Sequence, residues 1–410
     1  MSFVKCLKCK ECSATIDEQA VNVCEFCFGP LEVEYDFAAI YKSVSRSQIQ
    51  NGPNTMWRYH QFLPVNKEDV IDINTGFTPL IHAKNLGHKL GLDQLYIKND
   101  SVNPTFSFKD RPVSVTATKT LEFGLNVFAC VSTGNLMGSV AAHGAKSNLE
   151  TIVFFPSDLE KAKINAAAVY GPKMVPINGT YDDANRFCSE LSDQNDWAFV
   201  NINMRPYYAE GSKTLGYEVA EQLGWRAPNH CVVPGASGEL YTKIWKGLQE
   251  FTDCELIEKA PTKMHLAQPH GCSPIVSAYN DGNQVVTPVK PNTIAKSLAI
   301  GNPASGSYSL DIIDKSKGSA ICVPEEDIIE GIKLLAETEG IFTETAGGVV
   351  ISSLAKLIKK GAIKRNETVV AFITGNGLKT IEAMGDIQND LVAINPDIES
   401  FDSNLTYSRK

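Results

Sequence analysis

The sequence predicts an α/β protein built on parallel sheets, with a small cysteine-bearing module ahead of them. Three observations lead there. From Leu95 onward, short β-rich runs alternate with helix-like stretches, the pattern of βαβ units. Several of those runs end in a Ser, Thr or Gly turn followed at once by a helix-like stretch. Sites in such folds sit at the C-terminal ends of strands. Third, five of the eleven cysteines (Cys6, Cys9, Cys12, Cys24 and Cys27) fall within the first thirty residues. Crowding of this kind in a reducing compartment points to metal rather than to disulfides.

Taken in order, the module is expected to end in a strand over 30–35. Cys9-x2-Cys12 and Cys24-x2-Cys27 form paired knuckles separated by Ser13 to Val23. They suit a tetrahedral zinc site of four thiolates, structural because no coordination position is left open. Cys6 could replace one ligand of the first pair. A helical or irregular connector carries Trp57-Arg58-Tyr59. Strands are then predicted at 95–97, 128–131, 151–155, 173–177, 198–201, 230–233, 263–267 and 369–373, with helices such as 213–223 and 326–339 between them. The other six cysteines are scattered and read as small core residues.

Composition excludes several classes of function. A chain of 410 residues with 43% hydrophobic and 21% charged content is an ordinary globular protein of two or three domains. Its net charge of −9 argues against a general nucleic-acid binder, while leaving room for a local phosphate pocket. No apolar run is long enough to span a membrane, and Met1 to Cys6 shows no apolar signal region. A cytoplasmic protein without membrane partners is expected.

Four strand ends carry candidate chemistry. In Asn103-Pro104-Thr105-Phe106-Ser107-Phe108-Lys109-Asp110-Arg111, Pro104 ends an extended segment and Ser107 can cap a helix over 113–123. Lys109 then stands where the positive potential of a helix end favours a neutral amine. A neutral amine can form a Schiff base with an aldehyde, so Lys109 is a candidate anchor for pyridoxal phosphate. Taken alone, such a lysine is more often a solvated surface residue. Ser132-Thr133-Gly134-Asn135 opens a small-residue helix. Its hydroxyls and amides either hold an anion such as a carboxylate or simply make a cap and a turn. In Gly235-Ala236-Ser237-Gly238-Glu239 the glycines let backbone amides cradle a phosphate, and Glu239 is expected to point away. Such glycine turns are common between strand and helix. Thr374, at the tip of an apolar strand, could offer its hydroxyl to a pyridine nitrogen and tune its electron-sink strength. It could equally be a helix cap.

Together these residues resemble the fold type II pyridoxal-phosphate enzymes and, within them, the threonine synthases, over nearly the whole chain. The lysine segment is similar to that family's lysine motif, with Phe106 where glycine is more usual. Thr374-Gly375-Asn376-Gly377-Leu378-Lys379 is similar to its C-terminal motif. Ile300-Gly301-Asn302-Pro303-Ala304-Ser305, Tyr208-Ala209-Glu210-Gly211-Ser212-Lys213-Thr214 and Trp57-Arg58-Tyr59 point to threonine synthases more than to dehydratases or cysteine synthases. The cysteine module with Phe28-Gly29-Pro30-Leu31 resembles one threonine synthase branch.

The resemblance implies two parallel-sheet α/β domains behind a zinc-ribbon-like module. The module would cover 1–36, a large cofactor-binding domain 37–124 and 206–410, and a small domain 125–205. It implies conversion of O-phospho-L-homoserine and water to L-threonine and phosphate, with Lys109 as the catalytic residue that binds the cofactor and moves protons at Cα and Cβ. Asn135 would bond the cofactor's 3′-oxygen, and Phe108 would pack beside it. Gly235, Ala236, Ser237, Gly238 and Glu239 would form the loop for its phosphate, and Thr374 would meet its ring nitrogen. Ser132 and Thr133 would hold the substrate's carboxylate or phosphate. Relatives often carry an arginine where this chain has Tyr208, so Arg205 is expected to take the substrate phosphate, helped by Asn203 and Lys213. A homodimer is the expected assembly. Two other readings stay open. One is a fold type II lyase or replacement enzyme for another substrate, such as a threonine or serine dehydratase or a cysteate synthase-like enzyme. The other is a zinc-ribbon binding protein on an inactive enzyme fold.

Overall fold

The computed structural model describes residues 2–66, 70–159, 161–259, 261–385 and 391–404. Among the described residues thirteen strands form three sheets. The module is an antiparallel sheet in the order β2-β1-β3, from β1 (Val4–Cys9), β2 (Thr15–Ile16) and β3 (Leu31–Tyr35). Each cysteine knuckle closes with an i+4 turn: Ser13 N donates to the Cys9 carbonyl and Phe28 N to the Cys24 carbonyl. Ser13 (φ 62°) and Phe28 (φ 57°) both adopt the left-handed conformation that these turns need.

The large sheet runs β12-β11-β10-β13-β5-β4. Its strands are β4 (Leu80–His82), β5 (Leu95–Asn99), β10 (His230–Pro234), β11 (Lys263–Pro269), β12 (Ser319–Val323) and β13 (Val369–Ile373). All pairs are parallel except β4 with β5. β10 and β13 are buried along their whole length, as their largely apolar runs require of strands covered on both faces. The second sheet, β8-β7-β6-β9, is all parallel. It comprises β6 (Val127–Val131), β7 (Glu150–Pro156), β8 (Lys173–Ile177) and β9 (Ala198–Phe199).

The parallel α/β architecture is the expected one. The expected strand at 198–201 stops after Phe199, because the Asn201 side chain takes over the ladder. Its Oδ1 accepts from Val131 N at 3.3 Å and its Nδ2 donates to Val131 O at 3.2 Å. The helix expected over 113–123 begins earlier and spans Asp110–Glu122. The aromatic connector is a turn of tight helix, Met56–Phe62, packed on helix Thr214–Gln222. There Arg58 and the Tyr59 hydroxyl both donate to Glu221, at 2.8 and 2.5 Å. No helix among the described residues is long and apolar enough to cross a membrane.

Candidate active site

The lysine segment is held from both sides. Within it, Asp110 accepts from Thr105 N at 2.7 Å, Thr105 Oγ1 at 2.6 Å and Ser139 Oγ at 2.6 Å. Those three bonds fix the residue next to Lys109. On the other side the segment pairs with the loop after β13. Phe108 N donates to Thr374 O at 2.9 Å, Asn376 N donates to Phe106 O at 3.1 Å, and Ser107 bridges Gly375. Residues more than 260 positions apart thereby share one strand-like contact. Phe106 sits at φ 60°, in the left-handed region. That explains why glycine is usual there: a phenylalanine bears about 1 kcal/mol of backbone strain. Phe106→Gly should therefore keep the fold's stability within about 1 kcal/mol, relief of strain offsetting glycine's entropy cost. Phe106→Val should cost about 1–2 kcal/mol, and a valine variant with wild-type urea stability would contradict the strain argument.

Lys109 is the N-cap residue of its helix. Ser107 does not cap the helix body; its Oγ accepts from Lys109 N at 3.3 Å. The Lys109 ammonium donates to the Tyr208 hydroxyl at 2.6 Å and lies 4.8 Å from the centre of the Phe108 ring. Burial pushes its pKa down to about 8, while Glu239 and Glu344 push it up and Arg205 lowers it further. Shielding from water is thus the main cause of the shift, where the sequence suggested the helix end.

Asn135 and Thr374 meet at one carboxylate. Asn135 Nδ2 donates to Glu344 Oε2 at 2.9 Å, and Thr374 Oγ1 to Glu344 Oε1 at 3.4 Å. Burial pushes the Glu344 carboxyl above its usual range, although both of these bonds lower it. Gly375 is required here, since a Cβ would lie 2.5 Å from that carboxylate. Ser132 Oγ accepts from Gly134 N at 3.1 Å and Met137 N at 3.2 Å, so it caps helix Asn135–Ser147, and Thr133 is exposed beside it.

The glycine loop passes close to its neighbours. A Cβ on Gly235 would meet the Leu266 side chain at 2.5 Å, and one on Gly238 (φ 85°) would meet Ser309 Oγ at 2.4 Å. Ser237 O accepts from Ser305 N at 2.8 Å, and Ala236 is half-buried. The Gly238 cap offers no side-chain bond to the amides that open helix Glu239–Asp253. Glu239 N donates to Ser237 Oγ at 3.4 Å and Gly235 N to Ala267 O at 2.8 Å, so it is the amides between them, those of Ala236, Ser237 and Gly238, that suit the phosphate of pyridoxal phosphate at this helix start. Glu239 does not turn away as expected: its Oε2 pairs with Arg205 Nη2 at 3.0 Å and Nε at 3.2 Å.

Two expected helpers are committed elsewhere. Asn203 donates to Trp197 O and accepts from Phe199 N, both at 2.8 Å, bracing its own loop. Lys213 is fully buried, with its ammonium 2.6 Å from Glu210 and 3.1 Å from Glu250. Asn203 is thus engaged in bracing its loop, and Lys213 is shut away from solvent in an ion network. Sequence reasoning missed Tyr208 and Glu344 as site residues. The departure from arginine at 208 was the one available signal.

Residues 71–375 match the sequence profile of a family described as Pyridoxal-phosphate dependent enzyme. The chain is 38% identical to the threonine synthase of Methanocaldococcus jannaschii, over 92% of this chain and 93% of that one. It is 36% identical to the threonine synthase of Methanosarcina acetivorans, over 96% and 97%. The chain belongs to the threonine synthase family. Among solved structures, the processed threonine deaminase isoform 2 of Solanum lycopersicum superposes with a TM-score of 0.64 at 24% identity, covering 75% of this chain and 83% of that one. Escherichia coli diaminopropionate ammonia lyase gives 0.65 at 18% identity, over 83% and 92%. At these identities the likeness is one of fold: this threonine synthase family member shares the architecture of fold type II pyridoxal-phosphate enzymes.

Proposed function

We propose that the protein is a threonine synthase that takes O-phospho-L-homoserine and water to L-threonine and phosphate. The observation that carries this reading is a shielded Lys109 amine beside the aromatic Phe108, within electrostatic reach of Arg205 and of Glu239 on the glycine loop, in a chain of this family. The cofactor, when bound, supplies an electron sink for the carbanion at the substrate's Cα.

The chain's own residues supply the rest. Lys109 anchors the cofactor and, once released by the incoming amine, takes and returns protons at Cα and Cβ. An amine with a pKa near 8 does both at neutral pH. The Gly235 to Glu239 loop holds the cofactor phosphate through the backbone amides of Ala236, Ser237 and Gly238, while Asn135 and Thr374 take the 3′-oxygen and the ring nitrogen. Phe108 packs beside the ring. Ser132 and Thr133 meet the substrate carboxylate. Arg205 takes the substrate phosphate, with Glu239 holding its guanidinium until the dianion arrives. The small domain, 125–205, is the part carrying β6 to β9, and the large domain is the part carrying the six-stranded sheet.

Phosphate release from phosphohomoserine, run beside serine, threonine and phosphoserine, tests the activity. Release from phosphohomoserine alone is expected, and turnover of serine or threonine in its place would redirect the reading to a dehydratase. Arg205→Ala should lower kcat/KM for phosphohomoserine by about 100-fold, and Arg205→Lys should also be damaging, because lysine cannot copy the bidentate fork. An unchanged kcat/KM in the alanine variant would place the phosphate elsewhere.

The module adds a proposed structural zinc. The Sγ atoms of Cys9, Cys12, Cys24 and Cys27 all lie within 4.8 Å of one another, with Cys9 to Cys27 at 3.5 Å and Cys12 to Cys24 at 3.7 Å. Thiolates about 2.3 Å from a tetrahedral zinc would stand about 3.8 Å apart. Cys6 is outside this group of four. Elemental analysis of protein purified without chelator should find one zinc per chain, and none would count against the site. A cytoplasmic homodimer completes the proposal.

A further inference from the structure

Helix Arg205–Gly211 is only seven residues long, too short to hold its own position without neighbours. It works on two faces. Arg205 and Tyr208, three residues apart, reach Glu239 and Lys109. Tyr207 and Glu210, also three apart, reach the cysteine module instead. The Tyr207 hydroxyl donates to Gln19 O at 3.0 Å, and the Tyr35 hydroxyl at the end of β3 donates to Glu210 Oε2 at 2.9 Å.

Glu210 is fully buried. It also pairs with Lys213 at 2.6 Å, Lys243 at 2.6 Å and Lys246 at 3.1 Å. Glu32 of β3 closes on Lys243 and, at 3.3 Å, on Lys246. With Glu250 the network holds three carboxylates against three ammonium groups, so it is neutral only while every member stays in place. Burial alone would raise the Glu210 carboxyl; Lys213, Lys243 and Lys246 hold it well below the usual range.

The module touches the cofactor loop as well. Lys10 and Glu11, the two residues inside the first cysteine knuckle, hold Tyr308. Lys10 Nζ lies 3.6 Å from the centre of its ring, and its hydroxyl donates to Glu11. Tyr308 belongs to helix Gly306–Ser316, whose Ser305 cap and Ser309 hydroxyl abut Ser237 and Gly238.

We propose that the cysteine module positions the substrate-phosphate site, with Tyr35, Tyr207 and Glu210 as positioning residues that set where Arg205 and Tyr208 stand. None of the three touches substrate; they act through the helix between. The identity of the anion rests on the threonine synthase reading, whereas the brace itself rests on the contacts alone.

The test uses full-length holoenzyme and the variants Tyr35→Phe and Tyr207→Phe, each of which keeps its ring and loses one hydroxyl. Inorganic phosphate affinity, read from the change in the cofactor's visible absorbance, should weaken about fivefold. KM for phosphohomoserine should rise by a similar factor, with kcat within about twofold. The absorbance of the lysine-bound cofactor before phosphate is added should be unchanged. Variants that lose thermal stability yet bind phosphate like wild type would overturn the proposal and leave the module as a stabilising cap. If wild type releases no phosphate from phosphohomoserine, the activity reading fails, and the inorganic-phosphate titration still decides the brace.

Discussion

Lys109→Ala should abolish phosphate release from phosphohomoserine, by about 10³-fold or more, and remove the visible absorbance of lysine-bound cofactor. The side chain makes no helix-capping bond, and its ammonium donates to the Tyr208 hydroxyl. The fold should therefore survive, with a melting temperature within about 3 °C of wild type. Borohydride reduction followed by peptide mapping should label Lys109 in wild type and no lysine in the variant. Near-wild-type turnover by the alanine variant would sink the assignment. The pH dependence has a definite sign. An amine with a pKa near 8 gains its reactive neutral form as pH rises through 8, so cofactor attachment should quicken from pH 6.5 to 8.5. A rate that falls over that interval would mean that another group controls the step.

Glu218→Ala should cost about 3–5 kcal/mol of stability, the largest structural effect expected of any single change here. Glu218 is fully buried in helix Thr214–Gln222. It accepts from Arg111 at 2.5 and 2.8 Å, from Lys98 at 2.6 Å, and from Phe77 N at 2.7 Å. Arg111 is shared with Asp100 at 2.6 Å, so two cations face two carboxylates, and removing Glu218 strands one positive charge without water. Burial alone would raise the Glu218 carboxyl; Arg111 and Lys98 hold it down to about 2. A carboxylate whose folded pKa is depressed contributes fully above its unfolded value of about 4.3 and loses that contribution as pH falls towards 2. Wild type should therefore lose stability over that acid range more steeply than Glu218→Gln. Urea unfolding that finds the alanine variant within 1 kcal/mol of wild type would refute the argument.

The sheets were legible because their strands follow simple rules. Buried parallel strands such as β10 and β13 read as largely apolar runs, and the loops after them announce themselves by glycine and hydroxyl residues. Other strands escaped notice for equally physical reasons. β4 has three residues at an edge, and β1, with two lysines among two cysteines, shows no clean alternation. Lys109 was legible from its motif, but its partners were not. Tyr208 lies 99 positions away and Glu344 lies 209 positions from Asn135. No local pattern encodes such meetings. Lys213 misled for a related reason: a lysine beside a motif can serve a ligand or a buried ion network, and only packing tells which. Phe106 looked like a weakness in the motif and proved to be a residue held at positive φ.

The place of β13 has a consequence for how the chain is made. Among the described residues it is the last strand in sequence, yet it lies between β10 and β5, hydrogen-bonded to both. Until residue 373 is available, the large sheet is two separate pieces, each with an open inner edge where a neighbour belongs. The loop that closes over Lys109 follows β13 directly. A chain still emerging from the ribosome therefore has neither a whole sheet nor a finished catalytic cleft until β13 has been made. Unpaired edges of this kind are open to misplaced pairing and aggregation until β13 fills the gap.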